Sequence, residues 1–329
     1  GRVIDSLQPK KVLLFGVTFS IITVGLYFAI NSLLILMIVR LLHGIAFGLS
    51  STATGTISSS IIPDKRKGEG IGYYALSVTT ASAIGPFTGI LLNQRFGFES
   101  IFVVSLIVII IAFVFSLLIK GLPKPEPLED DDDSSTKGIN AYIQKEALPI
   151  SFVVIFVGIA YSSVLSFLTV YTEQINLATA SSFFFIIYAV STFVTRPFTG
   201  KIYDNYGENK VMYPVLISFM LGLILLSATH TSLLLLISAI FIGIGYGTII
   251  PSAQAIAIQQ SPVEKIGLAT STFYMFADFG AGIGPFILGI MIPIMGYRNL
   301  YVTMAILIII SIVFYFILHG KKAAKNPNY

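Results

Sequence analysis

The chain has 329 residues, 55% of them hydrophobic and only 11% charged, against roughly 25% charged in an ordinary soluble domain. That deficit excludes a globular surface bathed in water, so most of the exterior must face lipid. The absence of cysteine excludes disulfides and thiolate metal or redox chemistry.

Taken in order, apolar segments near 12–30, 33–57, 68–93 and 99–119 come first. Each is long enough for a helix that crosses a hydrocarbon core of about 30 Å. Residues 121–146 break the pattern with Pro123, Pro125 and Pro127, then Glu129 and the run Asp130 to Asp133. This is linker composition. The carboxylates lack the glycine and spacing of a calcium loop, and no metal site is expected. Six further segments follow, near 147–171, 179–199, 211–229, 232–257, 267–294 and 300–318.

The second half repeats the first at a fixed offset of 199 residues. Gly1 and Asp5 return as Gly200 and Asp204, Lys11 as Lys210, Gly44 and Gly48 as Gly243 and Gly247, and Gly85-Pro86-Phe87 as Gly284-Pro285-Phe286. A constant offset over so long a stretch implies two homologous halves of one fold. Two spans precede Gly200 in the second half and none precedes Gly1, which starts the chain in place of Met. Two N-terminal spans are therefore expected to be missing. The expected organisation is a truncated four-span bundle at 1–120, a cytoplasmic linker at 121–146, a six-helix bundle at 147–320 and a cytoplasmic tail at 321–329.

If the ten spans alternate, the segments holding Lys10, Lys11, Lys65, Arg66, Lys67, Lys120, Lys201, Lys210, Lys265, Lys321 and Lys322 fall on one side, and the other keeps only Arg95 and Arg298. The positive-inside rule makes the first side cytoplasmic, with the C-terminus on it. The net charge of +4 thus reflects topology in a cell membrane, and no nucleic-acid partner is expected.

Three features resemble the major facilitator superfamily. Gly1 to Asp5 with Lys10 and Lys11 resembles its loop motif between the second and third spans, and Gly200, Asp204, Gly207 and Lys210 resemble the counterpart in the second half. Leu36, Arg40, His43 and Gly44 resemble its fourth-span pattern, with His43 where Gln is usual. Gly72, Gly85, Pro86 and Gly89 resemble the fifth-span motif of the twelve-span drug:proton antiporters. Gln8 replaces the loop motif's second glycine, and Ala81 and Ile90 replace two glycines of the antiporter motif. The resemblance implies an all-α membrane protein with the major facilitator fold, two helical bundles in parallel repeat and ten of twelve spans present. It also implies a secondary transporter, so no catalytic residue and no cofactor are expected.

Each motif carries a physical role beside a plainer one. A carboxylate at a span end can meet the positive N-terminus of a neighbouring helix and nearby cations, which makes Asp5 and Asp204, with Lys11 and Lys210, gate candidates. The alternative is a tight turn bearing a solvated charge. Gly72, Gly85 and Gly89 leave a smooth helix face and Pro86 removes a backbone donor. Gly284, Pro285 and Gly289 repeat these elements, so two bent helices are expected where the halves meet.

Arginine near a span centre costs roughly 2.5–3.5 kcal/mol on insertion scales. Arg40 is therefore expected to face the cavity or a buried acid, either coupling transport to protons or forming a structural ion pair. His43 lies almost one turn on, as a titrating group or a simple hydrogen-bonder. Asp278 is the one carboxylate deep in a span, about 16 Å in from Gly267. It is read as a proton or cation-substrate site, against a structural partner for a buried donor. Tyr161, Tyr188, Tyr246 and Tyr274 lie within spans, where a phenol needs a partner; Tyr246 and Tyr274 with Gln254 are cavity candidates.

The function expected from these readings is proton-coupled efflux of an amphipathic small molecule by a monomer in the bilayer. Metabolite uptake or facilitated passage is the second transport reading, and a non-transporting sensor or scaffold on the same fold is the third. No phosphate-binding G-x-x-x-x-G-K-[ST] loop occurs, which disfavours nucleotide-driven transport.

Overall fold

A computed structural model describes residues 8–120 and 143–323. Asp5 and the acidic run Asp130 to Asp133 lie outside these, as does the side chain of Pro86. Among the described residues every regular element is helical. The long helices are α1 (Pro9–Leu26), α2 (Leu33–Ile61), α3 (Lys67–Phe96), α4 (Glu99–Leu118), α5 (Leu148–Gln174), α6 (Ala178–Tyr206), α7 (Asn209–Ser227), α8 (Ser232–Gln259) and α9 (Ile266–Tyr315).

Eight helical stretches among the described residues are long and apolar enough to cross a membrane. The last, Val263–Ala323, spans 61 residues, about three times the ~20 that one crossing needs. It is broken at Gly296, where φ of 74° and ψ of 167° interrupt α9. Contacts with α5 show what the break does. Gly280 and Gly284 of the first arm meet Ile155 and Ser162, whereas Tyr301 and then Phe314 of the second arm meet Ser163 and Phe156. The partners on α5 rise in number along the first arm and fall along the second, so the chain reverses and crosses twice. Beside these stretches stands α3, a 30-residue helix of lower apolarity that is not among the eight.

The repeat is visible in the backbone. Gly97 and Gly296, 199 positions apart, both have positive φ, 81° and 74°. The short 3-10 turns at Asp64–Arg66 and Val263–Lys265 stand at the same offset. One pair breaks the symmetry: Gly207 caps α6 with φ of 82°, while its counterpart Gln8 precedes α1 with φ of −58°. A side chain disfavours the left-handed conformation that glycine adopts freely, so the missing glycine of the first loop has a visible backbone consequence.

The chain forms two compact units. Among the described residues the first comprises 8–61, 84–120, 143 and 262–271. Its core is Val12, Leu13 and Val17 of α1 against Ala53 and Ile57 of α2, with Ile109 and Phe113 of α4 packed on them. Lys10 donates to the carbonyls of Leu117 at 2.8 Å and Ile119 at 2.6 Å, which satisfies acceptors that the end of α4 leaves without helical partners.

The second unit comprises, among the described residues, 62–83, 144–261 and 272–323. α8 runs through it with a buried stretch from Pro251 to Ile258. Gly243 and Gly247 lie against Tyr188 and Thr192 of α6, and Gly245 against Phe219 of α7. Small residues let backbones approach closely where lipid removes the hydrophobic drive between helices. Outward-facing apolar side chains are abundant across the chain, Phe286 at 72% and Ile294 at 81% exposure among them. Water would penalise such a surface, and lipid does not.

Candidate functional site

In the second unit, α5, α6 and α8 bring three sequence-predicted tyrosines together. The rings of Tyr161 and Tyr246 stack at 3.5 Å with a 6° interplanar angle, and Tyr188 stands 6.0 Å from Tyr161. Tyr161 and Tyr188 are buried, while Tyr246 is half-buried. A second polar group adjoins them: Tyr274 donates to Gln254 Oε1 at 3.4 Å and shares a hydrogen bond with Tyr74. Phenols in an apolar span need such partners, so the tyrosines form a wall whose hydroxyls are largely satisfied from within.

Asp278 borders this wall, its charge reaching both Tyr246 and Tyr274. Its side chain is exposed rather than packed among the neighbouring helices. The reason lies in the helix: Gly280 and Gly284 pack on α5, and at 3.6 residues per turn Asp278 lies about 200° round the helix from Gly280. Among the described residues it forms no hydrogen bond or ion pair. An ionisable group at this depth belongs on an aqueous path or cavity and not on lipid.

Arg196 is the feature that sequence reasoning missed. It is 4% exposed and donates from Nη2 to the carbonyl of Gly247, while its Nε has no hydrogen-bond partner among the described residues. A span drawn at 179–199 leaves this arginine at its edge, but α6 continues to Tyr206. That places Arg196 about 15 Å, ten residues at 1.5 Å, from the helix end. The signal was available in the same residues: an arginine within an amphipathic helix that extends past the apolar run.

At the lysine-rich side of the same unit, Asp204 Oδ2 accepts from the backbone N–H of Glu69 at 3.0 Å, in the first turn of α3. The N-terminal turn of a helix carries unsatisfied donors and partial positive charge. Gly200 permits the approach, since a Cβ there would lie 2.7 Å from the Glu69 Cα. Glu69 in turn accepts from Arg66 Nε at 3.0 Å and Nη2 at 2.8 Å. Lys210 is exposed. Gly72 faces the Arg196 side chain at 3.9 Å, while Gly289 has open space where a side chain would stand. Pro285 stays within the helical run of α9, whose one non-helical residue is Gly296.

The first unit holds Arg40 and His43. Arg40 is exposed, with its guanidinium carbon 5.7 Å from the Tyr27 ring centroid, and no described carboxylate pairs with it. Of the two surroundings expected for it, the cavity or a buried acid, no pairing acid is found among the described residues, and an aromatic face, a recognised cation partner, stands beside it. The Tyr27 hydroxyl lies 3.3 Å from His43 Nδ1, and Phe102 stacks on Tyr27 at 4.9 Å. Tyr27 is thus a shared partner that the sequence reading did not single out. Lys11 is exposed, and its neighbour Lys10 makes the capping contacts instead. Gly85 and Gly89 have open space on their side-chain sides.

A buried pair closes the end of the second unit. His319 Nε2 and Glu208 Oε1 are 3.0 Å apart. Burial pushes the Glu208 pKa up, but the hydrogen bond with His319, one from its own backbone and the imidazole charge outweigh burial and hold it below its ordinary 4.5. A carboxyl depressed in the folded state stabilises above its unfolded pKa, that ordinary 4.5, and loses the contribution as pH falls through the folded value. The contribution of Glu208 to thermal stability in detergent is therefore expected to be lost as pH falls below about 5. Glu208→Gln should flatten that acid limb, and an unchanged limb would remove Glu208 as its source.

The family profile described as Major Facilitator Superfamily matches residues 1–226 and 150–328. Among curated relatives, Multidrug resistance protein MdtG of Dickeya zeae is 24% identical over 318 residues, covering 94% of this chain and 78% of the relative. MdtG of Escherichia fergusonii is 25% identical over 286 residues, covering 84% and 69%. Among solved structures, the human organic anion transporter MFSD10 (TETRAN) aligns with a TM-score of 0.77 at 13% identity, covering 95% of this chain and 78% of that one. The E. coli fucose:proton symporter FucP aligns with a TM-score of 0.68 at 15% identity, covering 95% and 84%.

Proposed function

The chain belongs to the Major Facilitator Superfamily, and on that premise we propose that it exports an amphipathic small molecule in exchange for protons. It is a multi-pass membrane transporter and not an enzyme. The observation that carries the proposal is Asp278: an exposed carboxylate, without a described partner, halfway along a membrane-crossing arm and beside a wall of tyrosines. A proton can be held and released there without breaking a structural contact. The half-buried Tyr246 and Tyr274 present aromatic surface beside it, of a kind suited to amphipathic ligands.

The relatives support efflux, since those aligned over most of this chain are named as multidrug resistance proteins. In this reading the lysine-rich side is cytoplasmic, and Asp204 on the first turn of α3 is part of a closure on that side. Arg40, over Tyr27 and next to His43, is a second coupling group. The transporter works as a monomer.

Reconstitution of the full-length protein in liposomes tests the reading, with a fluorescent lipophilic cation as probe and a proton gradient imposed in each direction. Accumulation in an acidic lumen, opposite to proton flow, is the expected result. Movement of the probe with the protons would favour symport, and no movement under either gradient would reject export of this class of molecule.

A further inference from the structure

A groove of about 550 Å³ lies at the lysine-rich end of the second unit, away from the tyrosine wall, lined by Asn209, Tyr213, Ile312, Val313, Phe316 and Gly320. Its shape is fixed by its own contacts. Tyr315 donates to Asn209 Oδ1 at 2.8 Å, and Asn209 Nδ2 donates to the Gly320 carbonyl at 2.9 Å. The Tyr213 ring meets Tyr315 edge-on at 5.2 Å. Val313 and Phe316 are each 50% exposed, so the apolar wall opens outward.

Charge is concentrated at one end of this wall. Lys210 directly follows Asn209, and Lys321 and Lys322 directly follow Gly320; all three are exposed. The adjacent acid, Glu208, is buried against His319, and three exposed lysines outnumber it. We propose that the groove binds one anionic phospholipid, with an acyl chain along Ile312, Val313 and Phe316 and the headgroup phosphate at Lys210, Lys321 and Lys322. Basic groups flanking apolar grooves between transmembrane helices suit such headgroups. A free phosphate would leave the apolar wall unused, and a zwitterionic lipid would set its own cation against the lysines.

Native mass spectrometry of the purified full-length protein decides this, with phosphatidylglycerol and phosphatidylcholine of identical chains added at equal concentration. Phosphatidylglycerol should be retained on the order of tenfold better, because each lysine near an anionic headgroup raises occupancy severalfold. The triple variant Lys210→Gln, Lys321→Gln, Lys322→Gln should erase that preference, and its solvent-exposed positions leave folding intact. Val313→Trp should reduce retention of both lipids by filling the groove, and excess inorganic phosphate should displace neither. Equal retention by the unaltered protein, a preference that survives in the triple variant, or displacement of the lipid by phosphate would overturn the proposal.

Discussion

Replacing Asp278 with Asn is expected to reduce gradient-driven accumulation to the level of empty liposomes while substrate exchange continues. Accumulation requires a group that binds a proton on one side of the membrane and releases it on the other, whereas exchange requires only that the loaded carrier alternates. Asn keeps the size and polarity of the side chain and removes the titration. Because Asp278 makes no described hydrogen bond or ion pair, the substitution breaks no contact, and membrane levels should match those of the unaltered protein. Loss of exchange together with accumulation would assign Asp278 to substrate binding, and undiminished accumulation would move coupling to Arg40 and His43.

The position of Asp278 was legible in the sequence because hydropathy and the 199-residue repeat together located its span. Its exposure was not, since the face of a helix that packs inward depends on tertiary neighbours, here Gly280 and Gly284 against α5. Arg196 illustrates a different limit. Hydropathy ends a span where polar residues begin, but α6 continues as helix through Lys201 and Asp204 to Tyr206, so Arg196 lies well inside a helix whose apolar stretch stops near 199. Tyr27 escaped notice because a phenol within an apolar segment has no periodic signature, and only the fold shows Arg40 and His43 converging on it. The turn at Gly296 was readable in principle from its repeat partner Gly97, since both require positive φ.

Asp204→Asn is expected to have the second-largest effect, shifting the protein toward the conformation open on the lysine-rich side. The carboxylate accepts from a helix N-terminus, a geometry in which charge contributes about 0.3–1 kcal/mol, and up to ~2 when partly buried. Neutralising it should therefore change the ratio of closed to open forms by a factor of roughly 2 to 30, taking 1.4 kcal/mol as tenfold. Gly200→Leu tests the same contact by shape, since even a Cβ would lie 2.7 Å from the Glu69 Cα and hold the two helices apart. Spin labels placed on α3 and α6 would read the separation directly. Both variants should lengthen that distance and slow transport, with the leucine variant the more severe because it blocks approach as well as weakening attraction. An unchanged distance and rate in both would reduce Asp204 to a charge that rests on α3 without governing its movement.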